Sequence, residues 1–294
     1  MFPAPKRRLT GLLLVLTTIV IITTILGVNN YITASGNDYY ALLVFAAIIG
    51  FSGSIISLLL SKRLAKSMMN VKMLDPNSRL SSREIQLVRM VDNLAKKAGL
   101  GKTPEVGIYP SNEVNAFATG PSRNNSLIAV SSGLLERMSF EEVEGVLAHE
   151  MAHVANGDMV TMTLLQGVVN TFVVFFSRII AHAVSSFTRE EAREFVHFVC
   201  ILVFQILLSI LASIAVMAFS RHREYAADSG GATLVGKHKM IKALRSLKNS
   251  LGLVDERQEA LATFKISGSK KRGLRQLLAT HPDLDDRIRR LEMM

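Results

Sequence analysis

The stretch that decides the fold is His149-Glu150-Met151-Ala152-His153, which places two imidazoles four residues apart and a carboxylate directly after the first. Residues i and i+4 of a helix share one face, so the two rings can converge on one cation. The spacing predicts a helical zinc site in which His149 and His153 are ligands and Glu150 is the catalytic base that deprotonates a bound water. The alternative is two surface histidines on an ordinary helix.

The residues on either side predict the helix that carries this motif. Ser139 is followed three residues later by Glu142, which is a capping-box pattern, and apolar residues then recur at helical intervals. Gly157 is a typical helix stop. We therefore expect a helix from about Phe140 to Asn156, whose apolar flanks would desolvate the metal and keep the histidines neutral.

Four apolar stretches, each near the roughly 20 residues that a bilayer-spanning helix requires, predict an integral membrane protein. They cover about 9–28, 39–60, 160–180 and 195–219. The alternative for the first stretch is a cleaved signal peptide, but its apolar core is longer than a signal sequence needs and another span follows at once. The predicted fold class is a mainly α membrane protein with four transmembrane helices in two hairpins.

Basic residues predict the orientation of these spans. They flank the first hairpin on one side only, at Lys6, Arg7, Arg8, Lys62, Arg63, Lys66 and Lys72. By the positive-inside rule, we expect both termini and the polar regions on the cytoplasmic side of the membrane. Membrane topology thus accounts for most of the net charge of +10, and we expect no nucleic-acid partner. The single cysteine, Cys200, excludes an intramolecular disulfide.

The polar remainder predicts one soluble domain built from two blocks. Residues 61–158 form its first part and residues 220–294 its second, while 1–60 and 159–219 form the two hairpins. Sequence patterns predict helices at 81–98, 240–251 and 283–291 and short strands at 105–109 and 127–130. This content predicts a mixed α+β domain, and the 149–153 motif within it predicts that the domain is catalytic and zincin-like.

A catalytic zinc needs a third protein ligand and an open position for water. The second block offers Glu224, and Asp228 lies one helical turn further on the same face, where it could orient a ligating histidine. His222 is a rival third ligand. The competing interpretation is that both acids pair with Arg221 and Arg223 on a solvated helix next to the membrane.

Taken together, these elements resemble the HtpX family of membrane zinc metallopeptidases, relatives of the prenyl-protein endopeptidases, over nearly the whole chain. The elements that match are the paired hairpins, Asn115-Ala116-Phe117-Ala118-Thr119-Gly120, the 149–153 motif continuing to Asn156-Gly157-Asp158, the segment 220–228, and Thr280-His281-Pro282. The resemblance implies one zinc ion per subunit, held by His149, His153 and Glu224, with Glu150 as the base. It also implies proteolytic quality control of damaged membrane proteins in the bilayer under stress, with other membrane quality-control proteases as candidate partners.

Two further groups of residues are candidates for substrate or transition-state contacts. The carbonyl oxygen that becomes negative during hydrolysis needs a hydrogen-bond donor, for which the candidates by type are Arg221, His222, Tyr225 and His281. Residues 115–120 could form an exposed sheet edge that binds an extended peptide, with Asn115 and Ala116 as contacts. The alternative for this segment is an internal strand with Phe117 in the core.

Three functions follow from these observations, in order of preference. The first is a broad-specificity membrane endopeptidase, the second a narrow processing enzyme for lipidated protein C-termini, and the third a non-catalytic scaffold with a structural metal. The processing enzyme would need a large intramembrane chamber, and four spans are few to enclose one. The scaffold would have no use for a carboxylate directly after the first metal ligand.

Overall fold

The computed structural model describes residues 39–259 and 282–294. The predicted span 9–28 and the candidate residue His281 therefore lie outside the described residues. The described elements, in chain order, are α1 (Tyr39–Met68), β1 (Lys72–Met73), α2 (Ser82–Lys97), β2 (Glu105–Tyr109), β3 (Ala116–Ser122), β4 (Asn125–Ser131), α3 (Ser132–Arg137), α4 (Phe140–Asn156), α5 (Asp158–Ser185), α6 (Glu190–Val235), α7 (Lys237–Glu259) and α8 (Leu284–Met293).

The chain divides into two compact units, which we describe separately. Among the described residues, one unit contains 39–56 and Thr163–Ser213, and the other contains Ser57–Met162 and everything from Ile214 onward. Within residues 39–259 and 282–294, three helices, α1, α5 and α6, are long and apolar enough to cross a membrane. They correspond to the second, third and fourth predicted spans.

Two of these helices extend well beyond the predicted apolar stretches. Helix α1 continues to Met68, and α6 is a single helix of 46 residues. The sequence of α6 has no glycine or proline before Gly230, so nothing interrupts the backbone between the apolar part and the polar part. The fourth predicted span and the segment that carries Glu224 are therefore one continuous helix.

The membrane unit contains a close contact between α1 and α5. A Cβ atom on Gly50 would lie 2.5 Å from the backbone N of Thr171, and a Cβ atom on Gly167 would lie 2.4 Å from the ring of Phe51. Neither position has room for a side chain. The two helices thus pack backbone to backbone, as is common where small residues meet in membrane helices.

The second unit is built around a four-stranded mixed sheet with the order β1-β2-β4-β3. Strand β2 is the predicted strand 105–109, and it pairs in parallel with β4, which contains the predicted strand 127–130. Strand β3 pairs antiparallel with β4 in the register Phe117↔Ala129 and lies at the edge of the sheet. The sequence did not decide whether residues 115–120 form an edge strand or an internal strand. The structure shows an edge strand.

The core of this unit lies between one face of the sheet and helices α2 and α4. Its side chains come from α2 (Leu87, Val91, Leu94), the sheet (Val106, Ile128, Val130) and α4 (Val143, Leu147, Met151, Val154). Burial of these apolar side chains is the main stabilising contribution. Because α4 is buried along this face, its position relative to the sheet is fixed.

Helix α4 begins and ends where the sequence predicts. The carboxylate of Glu142 accepts a hydrogen bond of 2.7 Å from the backbone N–H of Ser139, which is half of the predicted capping box. The helix stops at Gly157, whose φ of 71° lies in the left-handed region that residues with a Cβ rarely adopt. Helix α5 starts at the next residue, Asp158.

Candidate metal centre

Three potential ligand atoms converge on one point between α4 and α6. The Nε2 atoms of His149 and His153 lie 3.2 Å apart. Carboxylate oxygens of Glu224 lie 3.5 Å from Nε2 of His149 and 3.2 Å from Nε2 of His153. We call these three residues the metal centre.

Gly230 and Gly231 allow α6 to approach α4 closely beside the metal centre. A Cβ atom on Gly231 would lie 3.2 Å from the backbone N of His149, and one on Gly230 would lie 2.9 Å from Cβ of Ala152. The α6 face that meets α4 also contains Glu224 and Asp228, which are only 4% and 2% exposed. The two acids are therefore directed at the histidines. The competing interpretation, in which Glu224 and Asp228 lie on a solvated helix, does not agree with this burial.

The outer nitrogen of each histidine is held by a second carboxylate. Nδ1 of His149 lies 2.9 Å from Oδ1 of Asp228, and Nδ1 of His153 is hydrogen-bonded to Oδ2 of Asp158. An imidazole that donates from Nδ1 has its lone pair on Nε2. Both lone pairs are thus directed into the metal centre, which is the arrangement that metal-binding histidines require.

Each of these carboxylates is in turn bound by a buried arginine. Arg223 donates to the carbonyl oxygen of Asp158 at 2.6 Å and also pairs with its carboxylate. Arg287 of α8 binds both oxygens of Asp228, at 2.7 and 2.6 Å. Burial raises the pKa of Asp228, but the hydrogen bonds from Arg287 and His149 more than offset this and leave the pKa below its ordinary value. Asp228 is therefore ionised at neutral pH.

The geometry fits a tetrahedral zinc ion. Ligand atoms about 2.0–2.1 Å from a tetrahedral centre are separated from one another by about 3.3 Å. The two Nε2 atoms are 3.2 Å apart, which matches this value, and each of them has an oxygen of Glu224 nearby, Oε2 at 3.5 Å from His149 and Oε1 at 3.2 Å from His153. Three protein ligands of the types His, His and Glu also leave one position open for water, as in catalytic zinc sites.

The net charge of the site also fits a divalent cation. The site contains four carboxylates, from Glu150, Asp158, Glu224 and Asp228, and two guanidinium groups, from Arg223 and Arg287. With both histidines neutral, two negative charges are left over, and a divalent cation would balance them. Buried charges that are not balanced are costly, so the donor set itself favours a dication.

Glu150 lies next to the metal centre and is half-buried. Burial is the main cause that raises the pKa of its carboxyl group, and the negative charge of Glu224 raises it further, while the two histidines and the backbone amide of Ala118 oppose the shift. A carboxyl group whose pKa is shifted toward neutral pH suits a general base.

The other candidate residues lie in different surroundings. His222 is exposed, whereas Glu224, two residues further, is in the metal centre. Arg221 is half-buried. Tyr225 is also half-buried, and the guanidinium of Arg290 lies 3.8 Å from its ring centroid.

The candidate substrate segment forms the edge of the sheet beside α4. The carbonyl of Asn115 accepts from the backbone N of Ser131 at 2.9 Å, so Asn115 faces β4 with its backbone groups. Backbone groups alternate in direction along an antiparallel strand, so those of Ala116 and Ala118 point away from β4. This agrees with the backbone hydrogen bond from Ala118 to Glu150, and it directs the N–H and C=O groups of Ala116 away from β4 at the edge of the sheet.

Sequence reasoning missed three functional contacts of the site. It did not assign a role to Asp158, it considered Arg223 only in the competing interpretation as a partner of Glu224 and Asp228, and it did not select Arg287. A signal existed for Arg287, because it shares a helical face with Leu284, Ile288 and Leu291. An arginine at a core position of an apolar face indicates a buried acidic partner.

Comparison with known proteins agrees with this geometry. The family model described as "Peptidase family M48" matches residues 81–294. The chain is 59% identical over 286 residues to "Protease HtpX homolog" of Bacillus licheniformis and 57% identical over 287 residues to the protein of that name from Bacillus subtilis strain 168, covering 95% of each chain in both cases.

Among solved structures, the crystal structure of S. mikatae Ste24p is similar, with a TM-score of 0.59 at 18% identity. The alignment covers 98% of this chain, which spans 66% of the length of Ste24p. At this identity the similarity shows a shared fold.

Proposed function

The chain belongs to peptidase family M48, and from that premise we propose that it is a zinc-dependent endopeptidase that hydrolyses misfolded or damaged membrane proteins on the cytoplasmic side of a bacterial inner membrane. Membership of this family makes the chain a metalloprotease. The observation that carries the proposal is the convergence of the metal centre beside Glu150, with the two Nε2 atoms 3.2 Å apart and a carboxylate oxygen within 3.5 Å of each.

His149, His153 and Glu224 would hold the zinc ion. When bound there, zinc would polarise the scissile carbonyl group and lower the pKa of water at the site. The carboxylates of Asp228 and Asp158 keep the two rings in the tautomer that presents Nε2 to the centre. Their burial with Arg287 and Arg223 keeps this arrangement rigid.

Glu150 would act on the proton. Its carboxylate takes a proton from the attacking water, and the same oxygen then returns that proton to the amine of the departing peptide. Because burial raises the pKa of this group, it binds the proton more readily than an exposed glutamate would. This requirement for a base distinguishes the endopeptidase from a scaffold with a structural metal.

The edge strand β3 would bind the substrate. A peptide in extended conformation could pair with the outward backbone groups of Ala116 and Ala118 and so pass beside Glu150. Pairing through the backbone demands little of the substrate side chains. This suits a protease that acts on unfolded segments of many proteins.

Membrane helices support the choice of membrane proteins as substrates. Helices α1, α5 and α6 are long and apolar enough to span the bilayer, so the chain and its substrates would share one membrane. Lys62, Arg63 and Lys66 at the end of α1 favour a cytoplasmic position for the residues that follow. The metal centre belongs to the unit that contains those residues.

The test is cleavage of an unfolded membrane protein by the detergent-purified chain, compared with Glu150→Gln at equal zinc content. We expect the variant to keep its zinc and to lose at least about 100-fold in rate, because only the proton acceptor is removed. Glu136→Gln, which changes an exposed glutamate, serves as the matched control and should cleave like the parent. Equal cleavage by Glu150→Gln would rule out the proposed base.

The preference for damaged proteins is tested in the same assay with a folded membrane protein as substrate. An edge strand binds only a segment that is free to become extended, so the folded substrate should be cut far more slowly than its unfolded form. Similar rates for the two would contradict the quality-control role while leaving the endopeptidase activity intact.

A further inference from the structure

The C-terminal helix α8 carries an arginine into the surroundings of the metal centre. Its apolar side chains Ile288 and Leu291 pack with Met240 and Leu244 of α7. Arg287 lies on the same side of α8, and only 5% of its surface is exposed. A guanidinium is rarely buried to this extent unless acidic groups are bound to it.

Arg287 clamps the carboxylate of Asp228, which means that it donates a hydrogen bond to each of the two oxygens. Nε donates to Oδ2 of Asp228 at 2.7 Å, and Nη2 donates to Oδ1 at 2.6 Å. Such a two-pronged pair fixes the plane of the carboxylate as well as its position. Nη2 also lies 3.3 Å from Nδ1 of His149, and the remaining nitrogen, Nη1, lies 3.4 Å from Oε2 of Glu224.

The clamped carboxylate is the partner of a proposed metal ligand. Oδ1 of Asp228 accepts from Arg287 and also lies 2.9 Å from Nδ1 of His149. The orientation of Asp228 therefore sets both the tautomer and the ring plane of His149. A carboxylate without its arginine could rotate, and it would be left as an uncompensated buried charge next to Glu224.

We propose that Arg287 is a positioning residue for the metal ligand His149 and that it acts through Asp228, which makes the C-terminal helix part of the metal site. The inference rests on the proposed function, because it assumes that His149 binds zinc. Three segments far apart in the sequence, α4, α6 and α8, then have to meet before the ligand is oriented. An anchor that merely docked α8 would stabilise the fold without this effect on zinc affinity.

The experiment measures the dissociation constant for zinc by competition with a chromophoric chelator. All proteins are full-length, purified in detergent and carry Glu150→Gln, so that self-cleavage does not interfere. The variants are Arg287→Met, Arg287→Lys, Asp228→Asn and the double variant of Asp228→Asn with Arg287→Met. The matched control is Arg289→Met, on the same helix, because Arg289 is exposed and pairs only with Asp286 among the described residues.

We expect Arg287→Met to weaken zinc binding about 10- to 100-fold, as is usual when a residue that orients a ligand is lost. Arg289→Met should stay within about twofold of the parent. The double variant should bind zinc no more weakly than Asp228→Asn alone, because the arginine acts through that carboxylate. Arg287→Lys should be intermediate, since it keeps the charge without the planar fork.

Parental affinity in a folded Arg287→Met protein would overturn the inference, and so would independent, multiplying effects of the two substitutions. If Arg287→Met does not fold, Arg287→Lys decides, and parental zinc affinity of that variant would overturn the inference as well. Failure of the parent itself to bind zinc would overturn the proposed metal site and this inference with it. Failure of the inference alone would leave zinc binding by the parent unchanged.

Discussion

Asp158 and His153 are joined by a hydrogen bond across the turn that ends the metal-binding helix. His153 lies in the last turn of α4, Asp158 is the first residue of α5, and Gly157 between the two helices has a left-handed φ of 71°. Arg223 of α6 pairs with the same oxygen, Oδ2 of Asp158. The helix stop that was read from the sequence as a boundary is thus also part of the site, because it brings an acid to the outer nitrogen of a proposed ligand.

Asp158→Asn should weaken zinc binding about 10- to 100-fold, because a neutral amide orients His153 less strongly and no longer raises the basicity of Nε2. Chelator competition on the purified protein measures this change. Asp75→Asn is the control, since Asp75 is exposed and its carboxylate only caps a local turn at Asn77. Unchanged zinc affinity in Asp158→Asn would mean that the hydrogen bond has no influence on the ligand.

Glu224→Ala and His222→Ala separate the two candidates for the third ligand. Glu224 is 4% exposed and faces both histidines, whereas His222 is exposed. Metal analysis after gel filtration should therefore find zinc strongly reduced in Glu224→Ala and at the parental level in His222→Ala. The reverse result would make His222 the ligand and would require α6 to rotate from the position seen here.

The features that the sequence predicted well are local ones. Helix α4 extends over the predicted range because its capping box and its stop residue act within a few residues of the ends. Strand β2 matches because five residues between two turns are enough to define it. Spacing within one helix also sufficed to bring His149 and His153 together, since an α-helix has a fixed period.

The features that were missed depend on contacts between distant segments. Strand β4 pairs with β2 although β3 lies between them in the sequence, and no local pattern encodes such an order. Arg287 meets Asp228 across 59 positions of the chain. A single sequence shows that each is present on a helical face but not that the two faces meet, so the clamp on His149 only became visible in three dimensions.

Ala116→Pro tests the edge strand as the substrate-binding element. The N–H of Ala116 points away from β4, so its removal leaves the sheet intact, and proline is tolerated at such edge positions. We expect KM for an unfolded substrate to rise about 3- to 10-fold, which corresponds to one lost hydrogen bond, with zinc content unchanged. Ala116→Ser keeps the N–H and should retain the parental KM. An unchanged KM in the proline variant would place substrate binding elsewhere.

The half-buried carboxyl group of Glu150 should reduce the stability of the zinc-free protein in a pH-dependent manner. Its pKa is raised above the ordinary 4.5 in the folded state, so folding favours the protonated form. Stability is then unaffected below about pH 4.5 and falls as the pH rises through the pKa of the folded state. Glu150→Gln removes this penalty and, in the presence of excess chelator, should unfold at a higher temperature than the parent at pH 8.

The increase in unfolding temperature caused by Glu150→Gln should shrink toward zero as the pH is lowered toward 4.5. Thermal unfolding of the parent and the variant at pH 5 and pH 8 measures this change. Glu136→Gln should show no such change, because Glu136 is exposed. A gain that is equal at both pH values would mean that the improvement comes from packing and not from ionisation. A loss at pH 8 would mean that the carboxylate stabilises the fold, and it would contradict a raised pKa of Glu150 in the folded state.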